Sequence, residues 1–330
     1  MQEIIRSYLD EAKIGRKQSY RNLAVFPLLS GYATSLEYIT LDEALTEGLI
    51  EVMEIDEGGS VPELRVENKS GGMILILDGE ELVGAKQNRI VNTTILIQGK
   101  STTVIPVSCV EQGRWSYEGP RFQSKERLMS AQLRGLKAEQ VHRSMRTSDD
   151  FRSDQGAIWN ELSSKAARME AESPAMAMSE IYEKKRSSLA EYADHFRLVE
   201  MQVGAVFLIN GKVVGLDSFG KAETFARVFK KLVESYALDA IDWSETQSTG
   251  KALRSTVTKF LETKGAATVE NHPSVGLGSD CRLESRNLNG FALAHEDQLL
   301  HLSVFTRGND QREEPYRSRI QRFSDRRRIR

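Results

Sequence analysis

Two cysteines in 330 residues, Cys109 and Cys281, are too few for a disulfide scaffold and share no spacing that makes a zinc site. Five histidines, His142, His195, His272, His295 and His301, show no His-x-x-x-His or His-Glu spacing of the metalloprotease kind, so no metal is assigned. No apolar run approaches the roughly 18 residues that a membrane span requires, and the N-terminus has no signal-peptide core. Gly276 and Gly278 are too little for a dinucleotide fingerprint, and no glycine-rich Lys-Ser or Lys-Thr loop occurs. These absences predict a reduced, cytoplasmic chain with no membrane and no cofactor assigned.

Charge of one sign is also missing, since the net charge of −2 gives the whole chain no broad pull toward nucleic acid. The exception is residues 311–330, where eight arginines face only Glu313, Glu314 and Asp325. Such a run more often packs on an acidic body or stays solvated than grips phosphate. Tyr316, Ile320 and Phe323 fall on one helical face, which favours a short docked helix.

What is present is a folding composition, 40% hydrophobic and 28% charged. The expected class is α+β: a mostly antiparallel β sheet or sandwich-like core with a helical insertion. Residues 1–115 read as the β-rich first part of a single core and 116–200 as the insertion. Residues 201–310 read as the α+β second part of that core and 311–330 as the tail.

An amphipathic helix opens the chain with Ile4, Ile5, Tyr8, Leu9 and Ala12 on one side. A strand over 22–29 follows, and Thr40 with Glu43 forms a capping box that starts a short helix. Short apolar runs at 50–55, 64–66, 73–77, 81–85, 90–97 and 103–110 read as strands in antiparallel pairing. Gly99 and Lys100 suggest a two-residue hairpin that sets Thr93 opposite Pro106, Ile90 opposite Cys109 and Asn88 opposite Glu111.

After Trp115 the pattern turns helical as far as Phe196, with a loop at 146–155. Ser173 and Pro174 predict an N-cap for one continuous helical face from Met178 to Phe196. Asp78-Gly79 and Asn210-Gly211 both read as hairpin turns. The strand over 203–209 pairs with 212–218, helices follow at 222–237 and 251–263, and strands at 267–270, 283–284, 290–294 and 299–305 close the fold. His295 should lie opposite Gln298 across the last turn.

The densest polar stretch is 84–92, and the assumed register brings it against 107–115. Lys86, Asn88, Asn92, Cys109 and Glu111 then share a face, with Arg114 and Trp115 close by. Cations suit a diphosphate, amides suit ribose or base edges, and an indole offers a stacking surface. The bland alternative is a solvated strand end whose groups pair with each other, Asn88 with Glu111 for example. Cys109 lies in an apolar strand, where a cysteine serves more often as a small core residue than as a nucleophile.

Asp78-Gly-Glu-Glu-Leu-Val-Gly-Ala-Lys-Gln-Asn-Arg89, followed by Ile105-Pro-Val-Ser-Cys-Val-Glu-Gln-Gly-Arg-Trp115, resembles the family named for association with ADP-ribosylglycohydrolases and the rhodanese-phosphatase superfamily. The 203–236 segment is similar too. The resemblance carries no catalytic residue with it, and it implies a ligand from ADP-ribose or NAD-derived metabolism. The resulting expectation is a protein that binds such a phosphate-bearing nucleotide through Lys86, Gln87, Asn88, Arg89, Glu111, Arg114 and Trp115, with processing of it left open. In this reading the cations hold the diphosphate, Trp115 walls the pocket, and Glu111 orients a ribose hydroxyl or a water. The rival reading is a non-enzymatic interaction module that uses the helical insert and the arginine-rich tail.

Overall fold

In the computed structural model, which describes residues 2–55, 62–113, 119, 121–244, 250–262 and 267–307, the chain is α+β. Helix α1 (Gln2–Glu11) buries Ile5, Tyr8 and Leu9, and β1 (Lys13–Ile14), β2 (Gln18–Tyr20) and β3 (Leu23–Leu29) follow. Strand β4 (Tyr38–Thr40) runs into α2 (Leu41–Thr46) through the expected capping box. The Glu43 N–H donates to Thr40 Oγ1 at 3.5 Å and the Thr40 N–H donates to Glu43 Oε2 at 2.8 Å. Thr40→Ala removes this reciprocal cap and is expected to cost about 1 kcal/mol. Urea unfolding measures it, and an unchanged midpoint would show that tertiary packing alone fixes the helix start.

Seven short strands come next: β5 (Ile50–Met53), β6 (Glu63–Asn68), β7 (Met73–Ile76), β8 (Glu80–Gly84), β9 (Arg89–Val91), β10 (Ile95–Ile97) and β11 (Ser101–Cys109). Strand β12 (Phe122–Leu128) precedes helices α3 (Ala131–Ser148), α4 (Gln155–Arg168), α5 (Met178–Lys184) and α6 (Arg186–Asp194). A hairpin of β13 (Gln202–Ile209) and β14 (Lys212–Phe219) leads to α7 (Ala222–Asp242) and α8 (Arg254–Glu262). The last strands are β15 (Thr268–Pro273), β16 (Ser279–Glu284), β17 (Leu288–His295) and β18 (Gln298–Thr306).

The strands form a nine-stranded sheet in the order β1-β3-β13-β14-β18-β17-β16-β15, with β2 beside β3. A six-stranded sheet runs β12-β8-β9-β11-β6-β5, and a three-stranded one β10-β7-β4. Pairing is antiparallel except between β4 and β7, which are parallel. Every residue of β13 is buried because the large sheet is covered on both faces. Val203, Val206 and Leu208 pack with Ile5, Tyr8 and Val257 of α1 and α8, while Phe207 stacks on Tyr236 of α7 with ring centroids 3.8 Å apart. The Asn210-Gly211 turn takes the two positive φ angles, 51° and 79°, that a tight hairpin of matching twist demands. His295 does lie opposite Gln298. No helix among the described residues is long and apolar enough to cross a membrane.

Five expectations need correction. The 90–97 run is two strands, because Asn92, Thr93 and Thr94 break the ladder: Thr93 Oγ1 donates to Asp280 Oδ2 at 2.6 Å, and Thr94 Oγ1 accepts the Asp78 N–H at 3.0 Å. Strand β10 therefore leaves for β7, the Gly99-Lys100 turn joins no hairpin, and β11 pairs with β6 and then β9. The pairing with β9 is Ser108 to Ile90 and Cys109 to Arg89, one residue away from the expected register. A slip of one residue moves a side chain to the opposite face, so Cys109 leaves the face of Asn88.

The second correction is that 122–128 is an edge strand rather than helix. It pairs with β8, and its charged, largely exposed residues hide the alternation. Third, Asp78-Gly79 turns the chain but makes no hairpin, since β7 and β8 belong to different sheets. A side chain at Gly79 (φ 80°) would sit 2.7 Å from Arg134 Cδ. Fourth, the helical face from Met178 breaks at Lys185 into α5 and α6, and α5 begins after Ala177 instead of at Ser173. Fifth, helix α3 extends to Ser148, with Arg146 bound to Glu270 and Glu284. The expected tail helix with Tyr316, Ile320 and Phe323 lies outside the described residues.

A buried polar network joins the three sheets through α3. Arg134 forks onto Asp217 of β14 with distances of 2.9 and 3.0 Å, and Asp217 also accepts from Tyr236 and Ser303. One turn on, Lys137 pairs with Asp78 and donates to the Val91 carbonyl at 2.7 Å. Arg282 of β16 donates to Thr93 at 2.8 Å and Asp280 at 2.7 Å, and Thr94 meets His301 of β18 at 2.8 Å. Burial alone would raise the Asp217 carboxyl, but Arg134 and His301 hold it well below the usual carboxylate range.

Candidate functional site

The chain leaves β8 and returns as β9 through Gly84 and Ala85, both at positive φ, 136° and 42°. A side chain at Gly84 would meet the Arg121 carbonyl of the neighbouring β12 at 2.7 Å. The tight return lays 86–89 against the end of β11 and sorts its side chains onto two faces.

On one face lie Arg89 and its cross-strand partner Cys109. Arg89 is fully buried, its Nη1 donating to the Gln87 carbonyl and to Gln87 Oε1 at 3.2 Å each, while Nη2 lies 3.8 Å from Glu54. Cys109 Sγ is 3.0 Å from Gln87 Oε1 and 3.2 Å from the Glu111 carbonyl. Burial pushes its thiol up, and an amide and a carbonyl are no bases, so these contacts do not activate a nucleophile. The Gln155 side chain clips the Cys109 peptide as a neighbouring strand does, accepting its N–H and donating to its carbonyl, both at 2.7 Å.

On the other face are Asn88 and Glu81, the latter paired across β8 and β9 with Ile90. The segment before α5 docks here, through the Met178 N–H on the Val110 carbonyl and the Gly113 N–H on the Ala175 carbonyl, both 2.9 Å. It delivers Ser179 and Glu180. Asn88 donates its backbone N–H to Glu111 Oε2 at 3.1 Å, and its side-chain amide lies 3.5 Å from Ser179 Oγ.

Glu81 is fully enclosed, and neither of its oxygens has a hydrogen-bond partner. Its closest cation, Arg127, is 4.0 Å away and is drawn off by Glu183. Burial therefore pushes the Glu81 carboxyl up to about 7, with Arg127 opposing and Glu111 adding to the rise. Burial and then Glu111 also raise the half-exposed Glu180.

Of the residues expected from sequence, the structure gathers Gln87, Asn88, Arg89 and Glu111 in this junction, and Lys86 is half-buried in the same connection. Gln87 and Arg89 face Cys109, away from Asn88. Arg114 and Trp115 lie outside the described residues. Glu81, Ser179 and Glu180 were not anticipated. A charged pair, Glu80 and Glu81, inside an apolar strand is the one signal that could have found Glu81; nothing local points to Ser179 or Glu180.

A separate cleft of about 400 Å³ lies where the edge strands β5 and β12 approach under α2. Its charges are largely engaged already, Asp42 by Lys231 and Ser124, and Glu51 by Lys69 and Arg121. Among the described residues no group of three or more His, Cys, Asp or Glu is arranged to hold a metal ion. No curated protein and no solved structure matches the chain significantly, whereas one family model matches residues 11–305.

Proposed function

Because the chain belongs to the family of the ARG and Rhodanese-Phosphatase-superfamily-associated Protein domain, we propose that it binds an ADP-ribose-like or NAD-derived nucleotide at the junction of β8, β9, β11 and α5. The family name itself records an association with ADP-ribosylglycohydrolase and rhodanese-phosphatase proteins. The observation that carries the reading is two carboxyl groups in unlike settings. Glu81 is enclosed without hydrogen bonds and keeps its proton up to about pH 7, while Glu111 accepts a backbone N–H.

Glu81, enclosed as it is, meets no ligand directly; by keeping its proton up to about pH 7 it spares Glu111 a second negative charge beside it. Glu111, which accepts hydrogen bonds, can orient a ribose hydroxyl or a water. That arrangement suits a ribose, with Lys86 and Arg114 on the diphosphate and Trp115 against the ligand. Arg89 then acts from within by fixing Gln87 and Cys109, because its guanidinium is enclosed.

Thermal unfolding with ADP-ribose tests the binding. A ligand at one hundred times its Kd stabilises the native state by about 2.7 kcal/mol. The wild-type midpoint should rise accordingly. Glu111→Gln keeps an acceptor for the Asn88 amide, and it and Lys86→Ala should lose most of that rise. A nucleotide panel that leaves the midpoint unmoved at millimolar concentration would sink the proposal.

Exposed apolar side chains favour a second reading as an interaction module. Leu198, Val199 and Met201 are 42%, 39% and 54% exposed in the connection from α6 to β13. In this case a partner seated on that connection, rather than a nucleotide, would protect the chain.

A further inference from the structure

We infer that the groove between α4 and α5 receives the base of the nucleotide, a planar ring of purine size. This rests on the proposed reading for the ribose and diphosphate, but it is carried by different residues. The groove holds about 190 Å³. Sites that swallow a whole drug-sized ligand run to roughly 300–1,000 Å³, so this one has room for a single ring system.

Its apolar lining is Leu162 and Ala166 from α4, Ile181 from α5, and Met176 from the connection between them, and Glu172 adds a carboxyl to the rim. Met176 is 40% exposed, and its flexible thioether side chain can close over a ring face. The backbone of that connection is fixed by two left-handed residues, Glu170 at φ 52° and Met176 at φ 45°.

The second observation is polar. Ser173 lines the groove, and its hydroxyl oxygen is enclosed with no hydrogen-bond partner. An enclosed hydroxyl without a partner costs about 1–3 kcal/mol, a cost that the polar edge of a base removes. A purely hydrocarbon occupant leaves it in place. Ser163, on the exposed side of α4, completes the rim.

The groove adjoins the carboxylates through one backbone residue. Ala177 lines it and forms a backbone bridge with Glu111, and Ser179 and Glu180 follow within three residues. A base in the groove thus leaves its ribose beside Glu111 and Glu180.

Calorimetric titration of the full chain with adenosine tests this, because adenosine carries the base without the diphosphate. Saturable binding is expected, weakened at least tenfold by Ser163→Trp, which fills the rim from an exposed helix position. Ser173→Ala should weaken it severalfold while raising the unliganded midpoint, because it removes the unpartnered hydroxyl. No adenosine binding at millimolar concentration overturns the inference, as does binding that Ser163→Trp leaves intact. If ADP-ribose binds and Ser163→Trp leaves its affinity unchanged, the inference falls and the proposed function stands. If adenosine binding is lost in Ser163→Trp while ADP-ribose gains nothing over adenosine, the groove assignment stands and the reading of the carboxylate site falls.

Discussion

Arg134→Ala is expected to lower the stability of the fold by about 3–5 kcal/mol, among the largest effects available from a single side chain. Arg134 is the fork that meets both oxygens of Asp217, and both residues are fully buried. Truncation strands a carboxylate that water cannot reach, and this costs far more than the net worth of an intact pair. For a chain of 330 residues, with about 2.1 cal/mol/K of unfolding entropy per residue, each kcal/mol moves the melting midpoint by roughly 1.4 °C, so a fall of about 4–7 °C is expected.

The double variant Arg134→Met/Asp217→Asn should recover part of the loss, because asparagine carries no charge, its oxygen still accepts from one of Tyr236 and Ser303, and the other hydroxyl can turn to accept its amide. The pH dependence has a definite sign. Asp217 has its pKa depressed by folding, so its contribution is fully present above the ordinary carboxylate range near pH 4. It is lost progressively as the pH falls below that range. A single variant that costs less than about 1 kcal/mol would mean that the network is not what joins the sheets.

Glu81→Gln should act in the opposite direction and stabilise the protein. The folded pKa of Glu81 is raised to about 7, so the unfolded chain ionises it first. Its effect is neutral below about pH 4.5 and becomes increasingly destabilising as the pH climbs to 7. Above that it levels off at a penalty on the order of 3 kcal/mol. An amide of the same shape carries no such penalty. Unfolding curves at pH 5 and pH 8 should therefore diverge, with the variant ahead by a few kcal/mol at pH 8 and by much less at pH 5. A variant less stable than wild type at pH 8 would mean that Arg127 compensates the charge after all.

The elements legible from sequence are those whose determinants are local. Thr40 and Glu43 sit three residues apart, Asn210 and Gly211 are adjacent, and the apolar face of α7 repeats within its own turns. The split between β9 and β10 was hidden because its cause is distant: Thr93 and Thr94 are bound by Asp280 and His301, which arrive 187 and 207 residues later. Without those partners, residues 90–97 show only an apolar run. The lost break became a register slip of one, which placed Cys109 on the wrong face. Strand β12 was masked by the charges that protect a sheet edge.

The candidate site follows the same logic. Gln87, Asn88, Arg89 and Glu111 lie at or beside the ends of β9 and β11, which only the short β10 separates in sequence, and could be associated by pairing alone. Ser179 and Glu180 come from a helix whose docking rests on backbone bonds to Val110 and Gly113, and side-chain pattern does not announce such bonds.

Strand β3 sits in the large sheet between β1 and β13, and its partners in the latter begin with Gln202 opposite Leu29. During synthesis β3 must therefore wait for 202 − 29 = 173 further residues before that edge is covered. At about 5–20 residues per second this is roughly 9–35 s in which an apolar edge stays open to other chains. Loop closure over so long a stretch also delays the pairing once both strands exist. The nascent chain should depend on chaperone shielding until β13 emerges, so chains arrested before residue 202 should bind chaperone more than chains arrested after β13 has left the ribosome.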